Sequence, residues 1–207
     1  GISLGLIYVL ISLGYTMVYG VLRLINFANS EIFMVGTFAT VWVETGVTGH
    51  TTSSDPLHGF QLIYTLLFAL VVAMLSSGIT ALAVEFFAYR RLRARGTNRL
   101  ASLISAIGMS LVLSEGARIL SKSRPQSSPR LLEKTSFGEF AGANFRVDTI
   151  LVVVSALLMF IALDRFVNKS RLGKAIRAVS MSEENAKLMG INLNRVISVT
   201  FLIGGLM

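Results

Sequence analysis

Residues 1–22 contain no charged side chain. A membrane span takes roughly 20 mainly apolar residues, and this run meets that length. The pattern recurs along the chain. Residues 24–43 carry one charge, Glu31, and residues 59–84 carry none. Residues 100–114 are uncharged and extend to Leu120 past Glu115 and Arg118. Residues 149–163 form a fifth run, and a sixth opens at Val196. The expected fold is an all-α integral membrane protein, a polytopic helical bundle. It has about five complete spans plus the start of a sixth, with one span broken. Composition agrees, since only 14% of residues are charged, against about a quarter in soluble domains. More spans follow the first run, so it reads as a mature helix and not as a cleaved signal.

Lys and Arg near span ends set orientation. Arg90, Arg91, Arg93, Arg95 and Arg99 follow the third span; Arg165, Lys169, Arg171, Lys174, Arg177 and Lys187 follow the fifth. Both loops are expected in the cytoplasm. Residues 44–58 lack Lys and Arg and are expected outside, which puts Arg23 inside. The long segment 121–148 is also expected outside, although it carries Lys122, Arg124, Arg130, Lys134 and Arg146. The net charge of +8 sits at the ends of apolar runs. That placement suits anionic headgroups of a lipid bilayer and not nucleic acid.

Small residues recur at every fourth position. Ala69, Ala73, Ser77 and Ala81 lead to Glu85; Ser102, Ala106, Ser110 and Ser114 lead to Arg118. Such rows let helices approach closely in lipid, so packing is the expected role and a polar pore lining the alternative. Glu85 and Arg118, near span ends, are expected to reach headgroups without a special role.

Residues 23–31, RLINFANSE, interrupt the apolar pattern. They are either a cytoplasmic turn or a broken helix whose amides line a polar pathway. Only twelve residues separate Glu31 from Glu44, short for a full span. That spacing points to a helix starting within the membrane, with Glu31 near its positive end. Asn26, Asn29 and Glu31 are the candidate pathway residues.

Residues 180–190, SMSEENAKLMG, form a polar stretch between apolar runs. Ser180 and Glu183 have capping-box spacing, and Gly190 can end a helix in the left-handed conformation. Roughly nine helical residues lie between them, too few to span a bilayer or to be stable alone in water. The segment is either a docking element for a soluble partner or a connector on the membrane surface.

Other motifs carry no chemistry. Residues 116–123, GARILSKS, miss a phosphate-binding loop, because Ser121 replaces the second glycine and no strand precedes it. His50 and His58 beside Asp55 read as a solvated loop and not as a metal site. There is no cysteine, and no nucleophile–base set can be assembled. The chain is expected to be no enzyme and to need no cofactor.

Residues 13–36, LGYTMVYGVLRLINFANSEIFMVG, resemble the first block of branched-chain amino acid ABC transporter permeases of the LivH type. Residues 184–197, ENAKLMGINLNRVI, with the lead-in RLGKAIR at 171–177, resemble that family's coupling segment. Asn29 and Ser30 stand where the family commonly has His and Gly, and Asn185 stands where alanine is usual. The resemblance implies one permease domain over 1–207, cut at its C-terminal end and also at its N-terminal end. It implies a multi-pass protein of the bacterial inner membrane that moves branched-chain or other hydrophobic or neutral amino acids. A periplasmic substrate-binding protein, a LivM-like second permease subunit and ABC ATPase subunits are the implied partners. The ATPase would grip the segment that holds Ser180, Glu183, Glu184, Ala186 and Gly190. The alternatives are an ion-coupled secondary carrier using Glu31 and a related ABC permease for urea or amides.

Overall fold

A computed structural model describes residues 2–47, 49, 60–96, 99–122, 136–140 and 143–207. Helix α1 (Ile2–Leu22) is followed by a non-helical stretch and α2 (Asn29–Trp42), which widens into a π-helical turn at Val43–Val47. Helix α3 (Phe60–Val84) continues through a second π-helical turn, Glu85–Arg90, into α4 (Arg91–Ala94). Helix α5 (Arg99–Leu120), strands β1 (Ser136–Phe140) and β2 (Ala143–Arg146), and α6 (Val147–Lys169) come next. Three shorter helices close the chain: α7 (Arg171–Met181), α8 (Glu183–Leu188) and α9 (Leu193–Leu206).

Four helices among the described residues are long and apolar enough to cross a membrane: Leu4–Leu22, Phe60–Ala94, Leu100–Leu120 and Thr149–Lys169. The expected second span is not among them, although α2 and its π-helical turn run continuously over residues 29–47 and carry Glu31 and Glu44. Glu44, expected in a loop, is buried in the π-helical turn. The segment 121–148, expected as a loop, contains the antiparallel pair β1–β2, with Ser136 opposite Arg146.

The helices hide small residues and show large ones. On α3 the buried residues include Ala69, Ser77, Gly78 and Ala81, while Tyr64, Leu67, Leu75 and Ile79 are exposed. That is the arrangement expected where lipid is the solvent and close backbone approach holds the helices. Helix α3 packs against α2 and α9, and α1 packs against α9 and α6. The α3–α9 contact leaves no room at Gly205, where an added Cβ would lie 2.6 Å from the Ala81 Cβ and 2.9 Å from the Ser77 carbonyl oxygen. The first row of small residues is thus a packing stripe. The second is one only in part, since Ser102 and Ala106 are buried but Ser114 is exposed.

The three segments expected in the cytoplasm meet at one end of the bundle. The Arg23 guanidinium reaches the Ser180 and Met181 carbonyls, and Arg93 reaches Asn194. At another place Trp42 and Thr45 line a cavity of about 540 Å3 together with Leu120 and Ser121. Two segments expected outside therefore also lie close together.

Candidate functional site

Helix α7 has a strict three-residue rhythm. Gly173, Ile176 and Val179 are buried, while Arg171, Lys174 and Arg177 are exposed. One face joins the core, and the other offers cations to water or headgroups. Ser170 caps its start by accepting from the Gly173 amide at 2.8 Å. Its end is at Met181, so residues 180–190 are not one helix. Ser180 lies in the last turn of α7, where its hydroxyl donates to the Arg177 carbonyl.

The cap of α8 is Ser182 and not the expected Ser180. Ser182 leaves helical geometry (φ −156°, ψ 116°) and accepts from the Asn185 amide at 3.3 Å. Ser180 cannot cap while its own backbone is still helical. The C-terminal end follows the expectation for Gly190, which has φ +76°. The Ile191 amide donates to the Ala186 carbonyl and the Gly190 amide to the Lys187 carbonyl, each at 3.0 Å. This pair of bonds is a Schellman motif, and it requires the left-handed residue that glycine supplies cheaply.

Helix α8 has six residues and touches the core through Ala186. Glu183, Glu184, Asn185 and Lys187 are exposed. Met181, Leu188 and Met189 are more than 80% exposed. Met181 ends α7, Leu188 ends α8 and Met189 follows it, so exposed apolar side chains flank the polar residues of α8. A cavity of about 510 Å3 lies beneath, lined by Arg23, Arg93, Ser182, Glu183 and Glu184 among others.

The polar break between α1 and α2 is pinned by Asn26. Its Oδ1 accepts from the Ala28 amide at 3.2 Å and from the Tyr89 hydroxyl at 3.3 Å. Asn26 is buried, and its Nδ2 has no partner among the described residues. Asn29 opens α2 and lines two cavities, one of about 220 Å3 shared with Thr37, Thr40 and Ser77 and one of about 560 Å3 shared with Asn26. Glu31 is half-buried, accepts from the Ser30 hydroxyl at 2.9 Å, and lines neither cavity. The three candidates are therefore not one cluster: Asn26 and Asn29 share a cavity and Glu31 stands apart.

Glu85 overturns its expected placement at the headgroups. It is 2% exposed, pairs with Arg93 at 2.9 Å and accepts from the Ser198 hydroxyl at 3.0 Å. Arg93 also donates to Asn194 at 3.0 Å. The π-helical turn is thereby joined to α9 just after the exposed α8. The sequence signal was the row of small residues that ends at Glu85, which places its carboxylate on the packing face. Arg118 instead pairs with exposed Glu115 one turn away on α5. Residues 116–120 of the apparent phosphate loop are helical, and His50 and His58 lie outside the described residues.

Apolar spans, a small-residue packing stripe and an exposed capped helix together define a polytopic helical membrane protein. The family model described as "Branched-chain amino acid transport system / permease component" matches residues 1–207, and the chain belongs to that family. Among its relatives is the high-affinity branched-chain amino acid transport system permease protein BraD of Pseudomonas aeruginosa, 36% identical over 99% of this chain and 64% of that protein. The corresponding LivH proteins of Salmonella typhimurium and of Escherichia coli K12 are 34% and 33% identical, over 100% of this chain and 65% of each. The chain thus spans slightly less than two thirds of the length of these relatives. No solved structure matches it.

Proposed function

We propose that this chain is a permease domain of an ABC importer in the bacterial inner membrane. Its cargo is branched-chain or other hydrophobic or neutral amino acids, and separate ATPase subunits drive it through α8. The observation that carries the reading is α8 itself. A six-residue helix is too short to persist alone, yet this one is capped at both ends and, together with the residues beside its ends, exposes three large apolar side chains: Met181, Leu188 and Met189. A partner groove would bury those side chains, and Glu183 and Glu184 would set its register. The amino acid cargo is supported by the names of the relatives, which favour it over urea or amides. The cavity that Asn26 and Asn29 share is the proposed part of the pathway, and a LivM-like subunit and a periplasmic binding protein complete the machine. An ion-coupled carrier built on Glu31 gains no support, because Glu31 lines neither of the cavities at the break.

The test uses the complete transporter in proteoliposomes. Gly190→Val strains the Schellman turn at positive φ, and Glu184→Lys reverses a charge on the docking face. Both are expected to insert normally and to lose substrate-stimulated ATP hydrolysis. Normal stimulation in both variants would reduce α8 to a connector.

A further inference from the structure

Resting on the reading of α8 as the ATPase-facing helix, we propose that Arg23 is a positioning residue tying α8 to the polar break. A shift of α8 is then delivered to residues 24–28. Helix α1 ends at Leu22, and Arg23 is the next residue, with φ +51°. A side chain other than glycine at positive φ is disfavoured and persists where its surroundings hold it. What holds Arg23 is visible: its Nη2 donates to the carbonyls of Ser180 at 3.1 Å and Met181 at 3.2 Å. These carbonyls belong to the last turn of α7, where helix geometry leaves acceptors without partners and the dipole favours a cation. The next residue, Ser182, has extended backbone and caps α8. The guanidinium therefore sits on the joint between α7 and α8, and its own backbone opens the break that Asn26 pins.

A second tie lies on the other side of α8. Tyr89, which donates to Asn26, lies between Glu85 and Arg93, and those two residues bind Ser198 and Asn194 of α9. The segments before and after α8 are thus each joined by hydrogen bonds to elements that hold the same break. Hydrogen-bonded links at both flanks carry displacement of a short surface helix to the break, whereas an unlinked connector would absorb it.

The test compares Arg23→Gly, Arg23→Gln and Arg23→Lys in the full-length protein, assembled with its ATPase pair, second permease and binding protein in proteoliposomes. Glycine keeps the positive φ without penalty and removes only the guanidinium. Spin labels at Phe27 and Leu75, both exposed, report the position of the break against α3 with and without trapped ATP. In the wild-type protein the Phe27–Leu75 distance is expected to respond to ATP. In Arg23→Gly and Arg23→Gln it is expected not to respond, while ATP is still hydrolysed. Substrate moved per ATP should fall about tenfold, within the usual range of coupling between sites, and Arg23→Lys should recover part of it. Wild-type stoichiometry and an unchanged distance response in Arg23→Gly or Arg23→Gln would overturn the proposal. Failure of the docking reading shows differently, as intact ATP stimulation in Gly190→Val and Glu184→Lys.

Discussion

Glu85→Gln keeps the shape of the side chain and removes its charge. The Glu85 carboxylate is 2% exposed and holds both Arg93 and Ser198. The Nε and Nη1 atoms of Arg93 are buried and have no partner among the described residues, so Glu85 is its main compensation. Removing one member of a buried pair costs about 3–5 kcal/mol. Arg93 keeps 23% of its side-chain surface and its bond to Asn194, so water recovers part of the loss. The expected cost is about 3 kcal/mol, the low end of that range. Replacing both residues by Met removes the attraction together with the desolvation penalty, and the double variant is expected to match the wild type within about 1 kcal/mol. Equilibrium unfolding in mixed detergent micelles, followed through Trp42, the single tryptophan, measures all three proteins. A loss below about 1 kcal/mol in Glu85→Gln, the value of a surface pair, would refute the reasoning. A double Met variant as unstable as Glu85→Gln would refute it too.

Other sites give sharper local tests. Gly205→Ala should overpack the α3–α9 contact and destabilise by about 1–3 kcal/mol, read in the same titration. Ser182→Ala should speed amide exchange at Asn185 and Ala186 by removing a cap worth about 1 kcal/mol, while Ser180→Ala should not. Glu31→Gln should leave both insertion and uptake intact, because Glu31 lines neither cavity at the break; a loss of uptake would return Glu31 to the pathway. Cysteines at Val47 and Arg95 should react with an impermeant thiol reagent from opposite sides of the membrane, Val47 from outside.

Uncharged runs made α1, α3, α5 and α6 legible in the sequence, because length and hydropathy alone define a crossing helix. The ends of helices were less so. Serine spacing pointed to a cap at Ser180, three residues before Glu183; packing of Val179 into the core carries α7 on to Met181, and the cap falls at Ser182. Gly190 was readable because few residues other than glycine tolerate its φ. Glu85 was misread because charge near a span end usually means the headgroups. Its place on the Ala69–Ala81 stripe decides otherwise, and Arg93, eight positions on, is a partner that only the π-helical turn brings within reach. The break at residues 23–28 was visible as polarity. That Arg23 would point to α7 was not, since nothing local links positions 157 residues apart.

The central claim is that α8 docks on an ATPase, and contact at Leu188 tests it most directly. A photoreactive amino acid at Leu188 in the full-length protein, within the assembled transporter, is expected to cross-link to the ATPase subunit. The same probe at Leu75, on the exposed side of the apolar helix α3, should not. Absence of any ATPase adduct at Leu188, with the transporter assembled and hydrolysing ATP, would contradict the account.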